Sequence, residues 1–186
     1  MGPLPYKIFF IIIVTTGCAW KGSKNPNYSS VNFFDPMNIG RFDSSRNLII
    51  HALFRECGEW GGHEEDIIVW ADDNSNFYAR YLVYEFNCDS AMNKGFSRKL
   101  GIQKAQTTTL NRYKQAAIMA YIHQLTNAKI LQAGITGQAS HYFSVALSDS
   151  SLLIQERHGN SNINDHYSKL VWKLFKINGG IPMHQK

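Results

Sequence analysis

The sequence predicts an α+β domain: an antiparallel sheet built in the order βββ-α-ββ-α, with two helices packed on one face. Three observations carry that expectation. Runs rich in Ile, Val, Phe and Tyr come in groups joined by short turn-forming segments, the pattern of hairpins. Two later stretches switch to apolar residues recurring at three- and four-residue spacing, the period of a helix that buries one side. No internal repeat or low-complexity block interrupts the strand groups, and strands in hairpins with helices between the groups argue for an α+β domain. At 186 residues the chain is long enough for one domain with a real hydrophobic core.

The elements follow in order. NLIIHALFREC begins the regular pattern at Asn47, DIIVWA follows a Gly-Gly pair, and FYARYLVYEF follows the turn-rich DDNSN. Together they read as a meander that turns near Gly58–Gly61 and again near Asn74. That spacing sets Arg55 opposite Glu64 and Glu64 near Glu85, an exposed ladder worth less than about 1 kcal/mol. In the third run Tyr78, Arg80, Leu82, Tyr84 and Phe86 share one face, and Ala79, Tyr81 and Val83 the other. Residues 87 to 109 read as a polar connection. The first helix then takes Leu110, Tyr113, Ala117, Ala120, Tyr121 and Leu125 as its buried stripe, with Thr107, Thr108 and Thr109 offering hydroxyls for the N-cap. HYFSVAL and SLLIQER flank Ser148-Asp149-Ser150, a tight hairpin. The last helix carries Tyr167, Leu170, Val171, Leu174 and Phe175, is capped by Asn162 or Asn164, and ends before Asn178-Gly179, where positive φ is tolerated.

Apolar residues make up 44% and charged residues 18% of the chain, which is neither a disordered nor a membrane-embedded composition. The formal charge of +5 is spread along the chain, with one small cluster at Lys94, Arg98 and Lys99. No nucleic-acid-binding motif accompanies it, so a solvated basic surface is expected and no nucleic-acid partner.

The stretch ECGEWGGHEED, Glu56–Asp66, crowds reactive residue types around two glycines. It is not the His-Glu-x-x-His helix of zinc hydrolases, because position 67 is Ile. His63 and Glu65 share a strand face, but zinc wants a further ligand, and none of His51, His123, His141, His158 or His166 is placed beside them by sequence. A Cys57–His63 nucleophile pair is the catalytic option. The preferred reading is a structural turn, with Gly61 and Gly62 at a bulge or where another backbone comes close, and Trp60 capping the core. Elsewhere there is no Gly-x-Ser-x-Gly elbow, and Gly134–Gly137 has the wrong spacing for a phosphate loop. No cofactor or metal is expected. Tyr78, Tyr81 and Tyr84 with Trp70 could offer a stacking platform to a sugar, though such residues more often face a core.

The chain opens with MGPLPYKIFFIIIVTTGCAWKG: one cation, Lys7, the apolar run Ile8 to Val14, then small residues leading into Cys18. The run is too short to span a bilayer, and the layout is that of a secretory signal. Val14-Thr15-Thr16-Gly17-Cys18 resembles the lipobox of bacterial lipoproteins, with Gly17 as the small residue before the cut. Thr15 departs from the usual Leu. The resemblance covers the first 18 residues. It implies a signal peptide over 1–17, cleavage before Cys18, and diacylglycerol on the Cys18 thiol with acylation of the new amino group. The resemblance thereby implies that Cys18 attaches the protein to the lipid bilayer on the extracytoplasmic side of the envelope. Several acyl chains anchor stably because each buried methylene contributes about 0.8 kcal/mol. Residues 18–45, rich in Ser, Asn, Gly and Pro, read as a flexible tether that first touches the folded body at Phe33 and Phe34, and 46–180 as the single domain.

In an exported chain Cys57 and Cys88 form an even pair that an oxidising compartment favours as a disulfide. Against it, two strands flanking a shared neighbour lie about 9–10 Å apart, and bridged Cα atoms need less than about 7 Å. The bridge therefore asks the Gly-Gly segment to step out of the sheet. The functional expectation is a membrane-tethered, non-catalytic binding or structural domain whose partner is an envelope protein or glycan. The alternative is a small envelope hydrolase using His63 with Glu64 or Glu65.

Overall fold

The structure, a computed structural model, describes residues 33–42, 46–57, 62–88, 101–131, 141–158, 161–177 and 179. Cys18 with its signal, the turn at Gly58–Gly61 with Trp60, the cluster Lys94–Lys99, Gly134–Gly137 and Asn178 lie outside the described residues. The elements run β1 (Leu48–Leu53), β2 (Glu64–Ala71), β3 (Phe77–Tyr84), β4 (Ile102–Thr109), α1 (Arg112–Leu131), β5 (His141–Leu147), β6 (Leu153–His158) and α2 (Ser161–Phe175). Six strands form one sheet in the order β4-β3-β2-β1-β5-β6, each pair of neighbours antiparallel. This is the predicted α+β architecture with one strand more than the apolar pattern indicates.

The additional strand is β4. Its sequence IQKAQTTT has no apolar alternation because it is an edge strand that stays largely exposed. Pairing with β3 defines it, not burial. Thr107, Thr108 and Thr109 belong to this strand and do not cap the helix. Asn111 does so, its Oδ1 accepting the Lys114 amide at 3.0 Å.

The core lies between one sheet face and the two helices. Leu48, Ile50 and Ala52 of β1, Ile67, Val69 and Ala71 of β2, Phe77, Ala79 and Tyr81 of β3, and Phe143 and Val145 of β5 all point inward. The α2 stripe is the predicted one: Tyr167, Leu170, Val171, Leu174 and Phe175 are all buried, joined by Ile163. The α1 stripe is rotated. Ala117, Tyr121 and Leu125 are buried as expected, but Tyr113 is 61% exposed and Ala120 is exposed, while Ile118 and Ile122 take the inward positions. The segment AAIMAYI is apolar all round, so periodicity alone does not choose a face; packing against α2 does, as the Tyr121 and Tyr167 rings meet at 6.0 Å.

Both predicted short hairpins are present. Asp72 Oδ1 accepts the amides of Asn74 and Asn76 and leaves Ser75 at φ 63°. Asp149 Oδ1 accepts the Ser151 amide, with Ser150 at φ 63°. At the end of α2 the left-handed residue is Lys176 (φ 60°), earlier than the expected Asn178-Gly179, and its amide donates to the Trp172 carbonyl at 2.8 Å. Gly179 instead packs on the helix, where a Cβ would lie 2.7 Å from the Val171 side chain. Asn162 and Asn164 fall inside the first turn of α2, which starts at Ser161.

The β1–β2 register corrects the sequence reading. Leu53, not Arg55, lies opposite Glu64, so the hairpin is centred one residue earlier than the glycines suggest. At the chain's entry, Phe34 is buried with its ring 5.5 Å from Phe77, Ile39 is fully buried, and the Ala71 amide donates to the Gly40 carbonyl. The folded body thus takes in residues 33–42, which the sequence assigned to the tether.

Leu174→Ala is expected to cost about 2–5 kcal/mol, because it empties a site between α2 and the sheet. Tyr113→Ala, on the exposed side of α1, should stay within about 0.5 kcal/mol. Denaturant melts of the two variants check which residues form the buried stripes.

Candidate functional site

Residues 62–66 return along the end of β1. The Phe54 amide donates to the His63 carbonyl at 3.0 Å, extending the β1–β2 ladder by one residue. Gly62 is buried against the same backbone, so closely that a Cβ there would sit 1.4 Å from the Phe54 carbonyl oxygen. Of the roles open to that glycine, close backbone approach is the one it plays. Cys57 lies past the end of β1 and Cys88 past the end of β3, and the two are bridged with Cα atoms 5.7 Å apart. The interstrand spacing does not forbid the bridge, because both cysteines have left the sheet before they meet.

Beside the bridge, His63 lies between two carboxylates. Its Nδ1 pairs with Glu56 Oε1, its amide donates to Glu56 Oε2 at 2.8 Å, and its Nε2 lies 3.2 Å from Glu65 Oε1. The imidazole stacks on Phe54 with centroids 4.6 Å apart. Burial opposes its charge, but the Glu56 carboxylate and then Glu65 outweigh that and hold the His63 pKa up at about 9. Glu56 pays a smaller burial penalty than it gains from His63, and its pKa is lowered. Glu65 is 2% exposed and points into the core, where it helps burial raise the hydroxyl pKa values of Tyr81 and Tyr167. Glu64 stands on the other side of the sheet, in register with Leu53. Of the proposed pairs, therefore, His63 with Glu65 comes together and His63 with Glu64 does not. At neutral pH this imidazole is a cation with both nitrogens engaged, which suits it to clamp a loop and not to accept a proton. The two carboxylates take opposite ring nitrogens, so the three groups do not close on one ion; among the described residues no cluster of metal ligands occurs.

The opposite face of the sheet carries a second buried carboxylate. Asp66 is 5% exposed; its Oδ1 receives His51 Nδ1 at 2.7 Å and its Oδ2 the Tyr84 hydroxyl at 2.8 Å. The register places His51 directly between Asp66 on β2 and Ser144 on β5. Sequence reasoning missed this group because its hairpin centre puts Ile68, not Asp66, opposite His51. No described helix covers this face. At one end the Trp70 and Tyr78 rings stack at 5.7 Å with Phe42 edge-on to Trp70 at 4.8 Å. Tyr81 is buried on the helix side, so the proposed aromatic row is split between the two faces. At the other end an open groove of about 520 Å³ is walled by His51, Leu53, Arg55, Tyr142 and Arg157, with Lys129 of α1 at its rim. His63, Glu64 and Glu65 are not among its walls.

No family model, curated protein or solved structure matches this chain. No helix among the described residues is long and apolar enough to cross a membrane.

Two outcomes follow for this site. A group whose pKa is raised on folding stabilises the fold below its unfolded value and loses that contribution as pH climbs through the folded value. Thermal stability should therefore fall between about pH 6.5 and 9, and His63→Gln, melted over the same range, should flatten that slope. Reduction of Cys57–Cys88, which span 31 residues, should cost about 3–4 kcal/mol in denaturant melts with and without reductant.

Proposed function

We propose that the protein is an extracytoplasmic lipoprotein of the bacterial cell envelope, held at the lipid bilayer by an acylated Cys18, whose folded body is a non-catalytic module that binds an envelope protein or glycan. The observation that carries the binding reading is the sheet face left without a helix among the described residues, with its groove of about 520 Å³ at one end and the Trp70–Tyr78 pair at the other. Grooves of this size are where small ligands are held. The disulfide supports an exported address, since such bridges persist in oxidising compartments. A signal of one cation, a short apolar run and Gly17-Cys18 supports the lipid anchor.

A hydrolase built on His63 and Glu65 is the lesser reading. A general base needs an accessible nitrogen and a pKa near the working pH; His63 is held by carboxylates on both nitrogens, and its pKa lies at about 9.

Cys18→Ala is expected to abolish the processing step and the membrane attachment together. Fractionation and gel mobility check it, and an unaltered variant on both counts refutes the anchor. For the binding reading, the full-length protein solubilised in detergent should retain a component of the envelope extract on affinity capture; a preparation that retains nothing above an empty matrix refutes it.

A further inference from the structure

From the geometry of the open face we infer that the groove between β1, β5 and β6 binds an acidic saccharide, its carboxylate or phosphate held by Arg157 and Lys129 and its ring laid on Tyr142. This rests on the binding-module reading and names the ligand class for it. The groove arises from two cross-strand rows. Leu53, Tyr142 and Arg157 are directly paired across the three strands, and so are His51, Ser144 and Gln155. Paired residues project from the same face with Cβ atoms about 5 Å apart. An apolar side chain, an aromatic ring and a guanidinium thus stand in one line, with an imidazole and an amide in the next.

The charge balance sets the sign of the ligand. Lys129 and Arg157 face the groove against the single carboxylate of Glu156 among its walls. Two of the polar groups are positioned before any ligand arrives: Lys129 Nζ donates to the Gln155 carbonyl at 3.0 Å, and His51 Nδ1 is tied to buried Asp66, which leaves Nε2 for an incoming hydroxyl. Guanidinium groups bind planar or tetrahedral oxyanions through paired N–H donors. The half-buried Tyr142 ring, tilted 56° to His51 with centroids 5.8 Å apart, supplies an apolar surface for the body of a sugar. About 520 Å³ is room for one or two pyranose rings. A neutral sugar would leave Arg157 unused as an anion-binding group, and a bare inorganic anion would leave Tyr142 and Leu53 unused.

The test is calorimetric titration of the full-length protein in detergent with a glucuronate-containing disaccharide, with glucose 6-phosphate, and with the neutral disaccharide cellobiose. At least one acidic probe should bind, and at least about tenfold more tightly than cellobiose. Arg157→Gln and Lys129→Gln, both at exposed positions, should each weaken it by about tenfold. Arg112→Gln, which removes the same charge at the far end of α1, should leave it unchanged. The stronger acidic probe identifies the group as carboxylate or phosphate. Equal binding of cellobiose, equal binding by Arg157→Gln, or no binding of either acidic probe at millimolar concentration overturns the inference. Capture of an envelope component that Arg157→Gln retains equally well also overturns it, while leaving the binding-module reading intact.

Discussion

The pairing of β1 with β2 is the constraint on which the rest depends. Residues facing each other along this hairpin are fixed by the return of the chain at Gly62, where only a hydrogen in place of a side chain lets the backbone rest on Phe54–Glu56. A slip by one residue would exchange the two faces of β2. It would turn Ile67 and Val69 outward and Ile68 and Trp70 inward, and it would part Asp66 from His51 and carry Glu65 off the helix side. The disulfide beyond the strand ends and the Glu56–His63 pair hold the same junction from outside the sheet. Backbone fit, covalent bridge and ion pairing thus act on a single register.

That register explains how two acidic residues adjacent in sequence are both buried. Glu65 and Asp66 point to opposite faces of β2, and each meets a histidine and a tyrosine: Glu65 with His63 and Tyr81 on the helix side, Asp66 with His51 and Tyr84 on the other. A buried carboxylate without partners would cost several kcal/mol, and partners of this kind offset that cost without adding net stability comparable to apolar packing. Their value lies in specificity. Only one register gives Asp66 its His51 and keeps Glu65 on the helix side, so competing pairings of an otherwise apolar hairpin are penalised at both carboxylates.

Legibility in the sequence followed the strength of one-sided burial. Strands β1, β2, β3 and β5 and helix α2 each bury a single face, and their alternation or periodicity identified them. The edge strand β4 has almost nothing buried and therefore no pattern to read. Helix α1 has apolar residues on every side, so its existence was legible and its orientation was not. At the candidate site, the His63–Glu65 pairing could be read, because residues two apart on a strand share a face. Asp66 with His51 could not, since it needs the turn centred to within one residue, and a ten-residue connection closed by a buried glycine does not resemble a short hairpin loop. The groove required a further long-range step, the placing of β5 beside β1, for which no local signal exists.

The two histidine groups differ in what surrounds them, and that difference assigns their roles. His63 has a carboxylate on each ring nitrogen and an aromatic ring against its face, so nothing of the imidazole is left to meet a ligand. His51 has one nitrogen on Asp66 and forms part of a groove wall. A histidine held by carboxylates on both sides gives its binding energy to the fold, whereas one held on a single side is oriented without being consumed. The helix-covered face of β2 therefore secures the sheet, and the face that no described helix covers, set in the same register by the neighbouring residue, carries the groove.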